Sequence, residues 1–188
     1  GLELILDYTK KANENPKDFE AREGLGLGTD LGGYAIMICG TNGAHLSSYS
    51  LVDISSHGRA CGIMNIYYTV FFAPAIEEKV RFFGNLLKEK GFISSNLNQL
   101  HGKDLGIEVA GGLIQFYKSI NFPTKLSDLP GFNDQYIERT LQAAKDPQLE
   151  MKLKSLPVQI NASEVDEYMA PILEAANTGN FDLIKMKL

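Results

Sequence analysis

A chain of 188 residues that is 44% hydrophobic and 22% charged can bury the core of one ordinary domain, and its balance is that of a globular protein. The formal charge of -5, with Lys and Arg dispersed, excludes the basic patch that nucleic acid or an anionic membrane would call for. Apolar runs at 34–39 and 67–74 are too short to cross a bilayer, no basic and then apolar leader opens the chain, and Cys39 and Cys61 form neither a CxxC pair nor a disulfide framework, so a reduced, cytoplasmic setting with buried, inert thiols is expected.

The chain starts at Gly1 rather than at a methionine and enters an amphipathic pattern at once, which predicts a part excised from a longer protein. Leu2, Ile5, Leu6 and Thr9 recur at helical spacing, and the pattern ends at residues 13–15. Asn15-Pro16 reads as an N-cap with proline in the first turn of a second helix, Asp18 favouring its N-terminus. Gly24, Gly26, Gly28, Gly32 and Gly33 each disfavour that helix by about 1 kcal/mol relative to alanine, and close backbone contact with a neighbouring helix is the expected reason for them. They do not form a nucleotide loop: Thr29 stands where a third glycine would be needed, and a charged helical run, not a strand, precedes Gly24.

Residues 43–65 hold two of the three histidines and one of the two cysteines. On one straight helix His45 and His57 would lie about 18 Å apart along the axis and about 120° apart around it, so no single ion could touch both. Asp53, Ser55, Ser56 and Gly58 are residue types that end one helix and start another, which predicts a helix–turn–helix with one imidazole on each side of the break.

Beyond the break, Ala60, Ile63, Met64, Tyr67, Tyr68 and Phe71 continue helically until Ala73-Pro74, and Ile76, Val80, Phe83 and Leu87 make a stripe closed by Gly91. A polar loop at 94–102 contains His101, expected in solvent, and Glu77, Glu78, Lys79 and Arg81 form a charged outer face. A long helix is predicted over 103–121, then a turn at Pro130-Gly131, a helix capped by Asn133 and a short one opened by Asp146-Pro147. The last helix is expected to start from a Ser163 and Asp166 capping box, to kink at Pro171 and to end near Gly179. With strand signals nearly absent, residues 1–188 are predicted to form a single all-α domain of roughly eight or nine helices.

Two histidines supply half of a usual metal site, and ordinary buried or surface histidines are the competing reading. Asp53 is placed either as a partner holding one ring tautomer or as a solvated helix-end residue, and Tyr49, at i+4 from His45, either donates a hydrogen bond or packs. Ser47, Ser48, Ser55 and Ser56 have no base at a recognisable offset, so serine nucleophilic catalysis is not supported.

NGAH at 42–45 and SHGRA at 56–60, with EAR at 20–22, LSDL at 126–129 and AAKDP at 143–147 in the same order, resemble the metal-binding helical domain of the iron-containing (group III) alcohol dehydrogenases, in the dehydroquinate synthase-like superfamily. The resemblance implies His45 and His57 as ligands of a divalent metal, Fe(II) foremost and Zn(II) next, in the cleft beside an α/β domain that binds NAD or NADP. It implies a small alcohol, aldehyde or ketone as substrate and leaves room for a homodimer. An Asp and a His on a helix upstream of Gly1 would complete the ligand set, so the 188 residues alone are expected to be inactive. Three departures stand out: Tyr49 occupies the place of a second histidine, Ser56 replaces a proline, and the interval from His45 to His57 is shorter. A non-catalytic packing or binding domain with unused histidines is the alternative.

Overall fold

The most apolar helical stretch of the sequence becomes the axis of the fold. A computed structural model describes residues 1–41 and 43–187. Nine α-helices and no strand occur among these residues: α1 (Leu2–Glu14), α2 (Phe19–Cys39), α3 (Gly43–Ser48), α4 (His57–Phe72), α5 (Glu77–Glu89), α6 (Gly102–Ser119), α7 (Asp134–Ala144), α8 (Glu150–Lys154) and α9 (Ala170–Thr178). α4 is packed on several sides, against α3, α6 and α9, with Ile63, Met64, Ile66, Tyr67 and Phe71 fully buried and the face of Gly58, Gly62, Asn65 and Thr69 less covered. Its two buried phenols keep partners, the Tyr67 hydroxyl donating to the Thr124 carbonyl at 2.8 Å and that of Tyr68 pairing with Ser47 Oγ at 3.1 Å. No helix among the described residues is long and apolar enough to cross a membrane.

Helix boundaries follow local chemistry, with two shifts from expectation. Asn15 spends its side chain on the Lys17 N–H, and Asp18 is the cap of α2, accepting from the Ala21 N–H at 3.0 Å. Likewise the box before the last helix is Asn161 with Glu164, whose carboxylate takes the Asn161 N–H at 3.0 Å, instead of Ser163 with Asp166. A π-helical turn at Val165–Met169 then leads into α9, and Gly179 closes it in the left-handed region at φ +82°.

The glycines of α2 divide. A Cβ on Gly24 would come within 2.4 Å of the Tyr8 ring, and one on Gly28 within 3.1 Å of Ile5, so these two do seat α1. Gly26, Gly32 and Gly33 meet nothing within 4 Å, and residues 29–40 are all exposed, so close helix packing does not account for them. Tyr34, Met37 and Ile38 on this stretch are 63%, 80% and 82% exposed, and Cys39, expected to be buried, is exposed as well.

Glu77 and Arg81 do more than form an outer face. Arg81 bonds the carbonyls of Leu97 and Leu100, and Glu77 accepts from Arg81 at 2.7 Å, from His101 Nδ1 at 2.9 Å and from the Gly102 N–H at 3.0 Å, which ties the 97–102 loop to α5 and caps α6. The Gly102 N–H first, then His101 and Arg81, hold the Glu77 carboxyl down to about 2. Because the folded value lies below the ordinary 4.5, this stabilisation is complete above pH 4.5 and is lost as pH falls towards 2. Glu77→Gln is therefore expected to unfold at lower temperature than the parent at pH 7, the difference shrinking below pH 4.5 and closing only as pH falls through about 2 in thermal melts; a constant difference from pH 7 down to 2 would remove the carboxylate from this role.

Candidate metal centre

The expected break between the histidines is present. α3 ends at Ser48, a 3-10 turn covers Tyr49–Leu51, and α4 begins at His57 after Ser56, whose extended backbone (φ -64°, ψ 148°) redirects the chain. α3 is held close to α4 because Gly43 has no side chain: a Cβ there would sit 2.4 Å from the Tyr68 ring. Ser47 meets the same tyrosine, and Gly43, Ala44, Leu46, Ser47 and Ser48 are all buried, so the side chain of this short helix that is left to face outward is that of His45. Asn42, the first residue of the NGAH motif, lies outside the described residues.

As a result the two imidazoles meet edge to face, ring centroids 5.1 Å apart at 61°. Nδ1 of His45 is the one buried side-chain polar atom without a hydrogen-bond partner among the described residues. Such an atom is costly unless something outside the chain satisfies it, and a divalent ion is what a neutral imidazole lone pair takes. Burial foremost, then the nearby His57 and Lys152, lower the His45 pKa, which favours the neutral imidazole that a metal ligand must be. The residues present therefore fit a metal.

His57 is exposed at the start of α4, and its tautomer is set by Ser48. The single Ser48 hydroxyl hydrogen goes to the His45 carbonyl at 2.7 Å, so its oxygen accepts from His57 Nδ1–H at 3.0 Å. Nε2 is then the nitrogen with the free lone pair. Tyr49 lies nearly parallel to His57, centroids 6.3 Å apart and planes at 13°, and so walls the imidazole on one side while staying 43% exposed. Asp53 takes no part: its carboxylate accepts from Arg139 Nη1 at 2.6 Å. His101 keeps to Glu77.

Sequence reading passed over two members of this cluster. Ser48, three residues after His45, does the tautomer-fixing work considered for Asp53. Cys61, four residues after His57, brings its sulfur to 3.7 Å from His57 Nε2. One ligand atom from each of His45, His57 and Cys61 falls within 4.8 Å of the others. The signal for Cys61 was its i+4 spacing, which places it over His57 on one helix face. Burial pushes the Cys61 thiol up.

No family model matches the chain, and no curated protein matches it by sequence. Among solved structures, the fold is similar to that of a 1,3-propanediol oxidoreductase, at 21% identity and a TM-score of 0.72. It is similar as well to an alcohol dehydrogenase from Oenococcus oeni, at 18% and 0.74, and to an archaeal halo-thermophilic alcohol dehydrogenase from a Red Sea brine pool, at 18% and 0.71. Each match covers 93% of this chain and 42–43% of the other, so the chain spans less than half the length of the proteins it resembles. At these identities the likeness is one of fold, and the all-α fold implied by the sequence motifs agrees with it.

Proposed function

We propose that this chain is the metal-binding helical part of an NAD(P)-dependent alcohol dehydrogenase. The observation that carries the reading is the convergence of His45 and His57 across the helix break, with a buried Nδ1 left unpartnered, in a fold shared with alcohol dehydrogenases. His45 and His57 would hold a divalent ion, Fe(II) or Zn(II), which when bound supplies a Lewis acid that polarises a carbonyl or acidifies an alcohol while a nicotinamide exchanges hydride with the neighbouring carbon. This chain's own work is preparatory. Ser48 orients the His57 ring, the buried face of α3 keeps His45 neutral and fixed, and Tyr49 shields one side of His57. The substrate class is a small alcohol, aldehyde or ketone, and the nicotinamide site, with the remaining ligands, lies in residues outside these 188.

The test is NAD(P)H oxidation with short aldehydes and ketones by the complete gene product, before and after chelation, beside the 188-residue chain. Chelator-sensitive turnover by the complete product and none by the chain is expected. A complete product that holds metal yet turns over none of these carbonyls with either nicotinamide would establish a non-catalytic helical domain instead.

A further inference from the structure

We propose that Cys61 is the third protein ligand of this centre, so that the chain by itself offers a His2Cys site suited to a thiophilic divalent ion. The proposal rests on the metal-centre reading and changes its donor set, hence its preferred metal. His57 and Cys61 are stacked at i and i+4 on α4, and His45 is delivered to the same spot from α3, across the break.

The spacing of the three side chains is near that of donors sharing one ion. A tetrahedral site with ordinary zinc–nitrogen and zinc–sulfur bonds sets its donors about 3.4–3.6 Å apart. The sulfur lies 3.7 Å from His57 Nε2, the nitrogen that Ser48 leaves with a free lone pair, and 3.9 Å from Nδ1, so it must swing away from the ring and towards the Nε2 side to share an ion. All three donors lie within 4.8 Å of one another, so closing the set around an ion asks for about 1 Å of side-chain adjustment. A cysteine that served only as core filler would be expected among apolar side chains. Cys61 instead faces two imidazoles, one of them with an unsatisfied buried nitrogen, and the Ala44 carbonyl at 3.9 Å.

On binding, the thiol proton passes to solvent and the sulfur–metal bond takes its place. A thiolate among the donors favours Zn(II) over Fe(II), and three donors from this chain leave a fourth tetrahedral position to a ligand from outside it or to a substrate oxygen. Iron, which the motif resemblance puts first, would then be the less suited ion for this chain.

Cobalt reports the ligand set directly, since a cobalt–thiolate bond adds a near-ultraviolet charge-transfer band that histidine ligands do not. Co(II) titration of the chain, of Cys61→Ala, of the conservative Cys61→Ser and of Cys39→Ser is the experiment, with circular dichroism to check that each variant is folded. The expected result is one equivalent of cobalt with the thiolate band in the parent and in Cys39→Ser. Both Cys61 variants should lack the band and lose at least about 100-fold in Zn(II) affinity, beyond the range for partners that only support a ligand. Cobalt bound with visible ligand-field bands but no thiolate band would overturn the proposal and leave a histidine-based centre standing. Failure of the parent chain to bind cobalt at all would also overturn the proposal, since a His2Cys set held by this chain alone should bind without the ligands outside it.

Discussion

Zn(II) at about a hundred times its dissociation constant is expected to stabilise the chain by about 2.7 kcal/mol, and His45→Ala or His57→Ala should abolish that gain. For a domain of this size the shift corresponds to about 5–10 °C in melting temperature, well within the reach of a thermal melt. His45 is the donor that α3 contributes, so its loss removes the link across the break, and loss of His57 leaves His45 and Cys61 as a pair too small to hold the ion at this concentration. Ser48→Ala separates holding from orienting. It keeps both imidazoles but frees the His57 ring to expose either nitrogen, so affinity should fall by about 10- to 100-fold without being lost. Equal metal-induced shifts in the parent and in both histidine variants would show that the ion binds elsewhere.

Gly106→Val is expected to cost about 3 kcal/mol or more, and Gly106→Ala a smaller part of that. A Cβ at this position of α6 would lie 2.7 Å from Ala73 Cβ, 2.9 Å from Val70 Cα and 3.1 Å from the Val70 carbonyl oxygen. Two of those three atoms are backbone of α4, so no rotamer change relieves the contact and the helices must separate. The helix-propensity gain of about 1 kcal/mol from removing a glycine offsets only part of this. Gly111, on the same helix with nothing within 4 Å, supplies the control: Gly111→Ala should be neutral or stabilising by up to about 1 kcal/mol. Urea unfolding of the three variants checks both, and a Gly106→Ala protein as stable as the parent would mean that α4 and α6 do not approach this closely.

The helices were legible because their signals are local: the stripe of Ile76, Val80, Phe83 and Leu87, the stop at Gly91, the cap at Asn133 and the break between His45 and His57 all lie within a turn or two of what they specify. Caps slipped by two or three residues where several side chains compete for one N–H, as with Asn15 against Asp18 and Asn161 against Ser163. The apolar second half of α2 was expected to be packed and is exposed, since burial depends on which surface lies opposite and no local pattern specifies that.

Sequence by itself therefore determined the all-α class and the need for a turn between two histidines, because helix periodicity and capping are properties of neighbouring residues. Only the tertiary structure decided that the histidines meet, that Ser48 and not Asp53 orients one of them, and that Cys61 turns its sulfur towards both. Those outcomes hang on Gly43 letting α3 close onto Tyr68 of α4, a contact between residues 25 apart in sequence that a single helix period cannot encode.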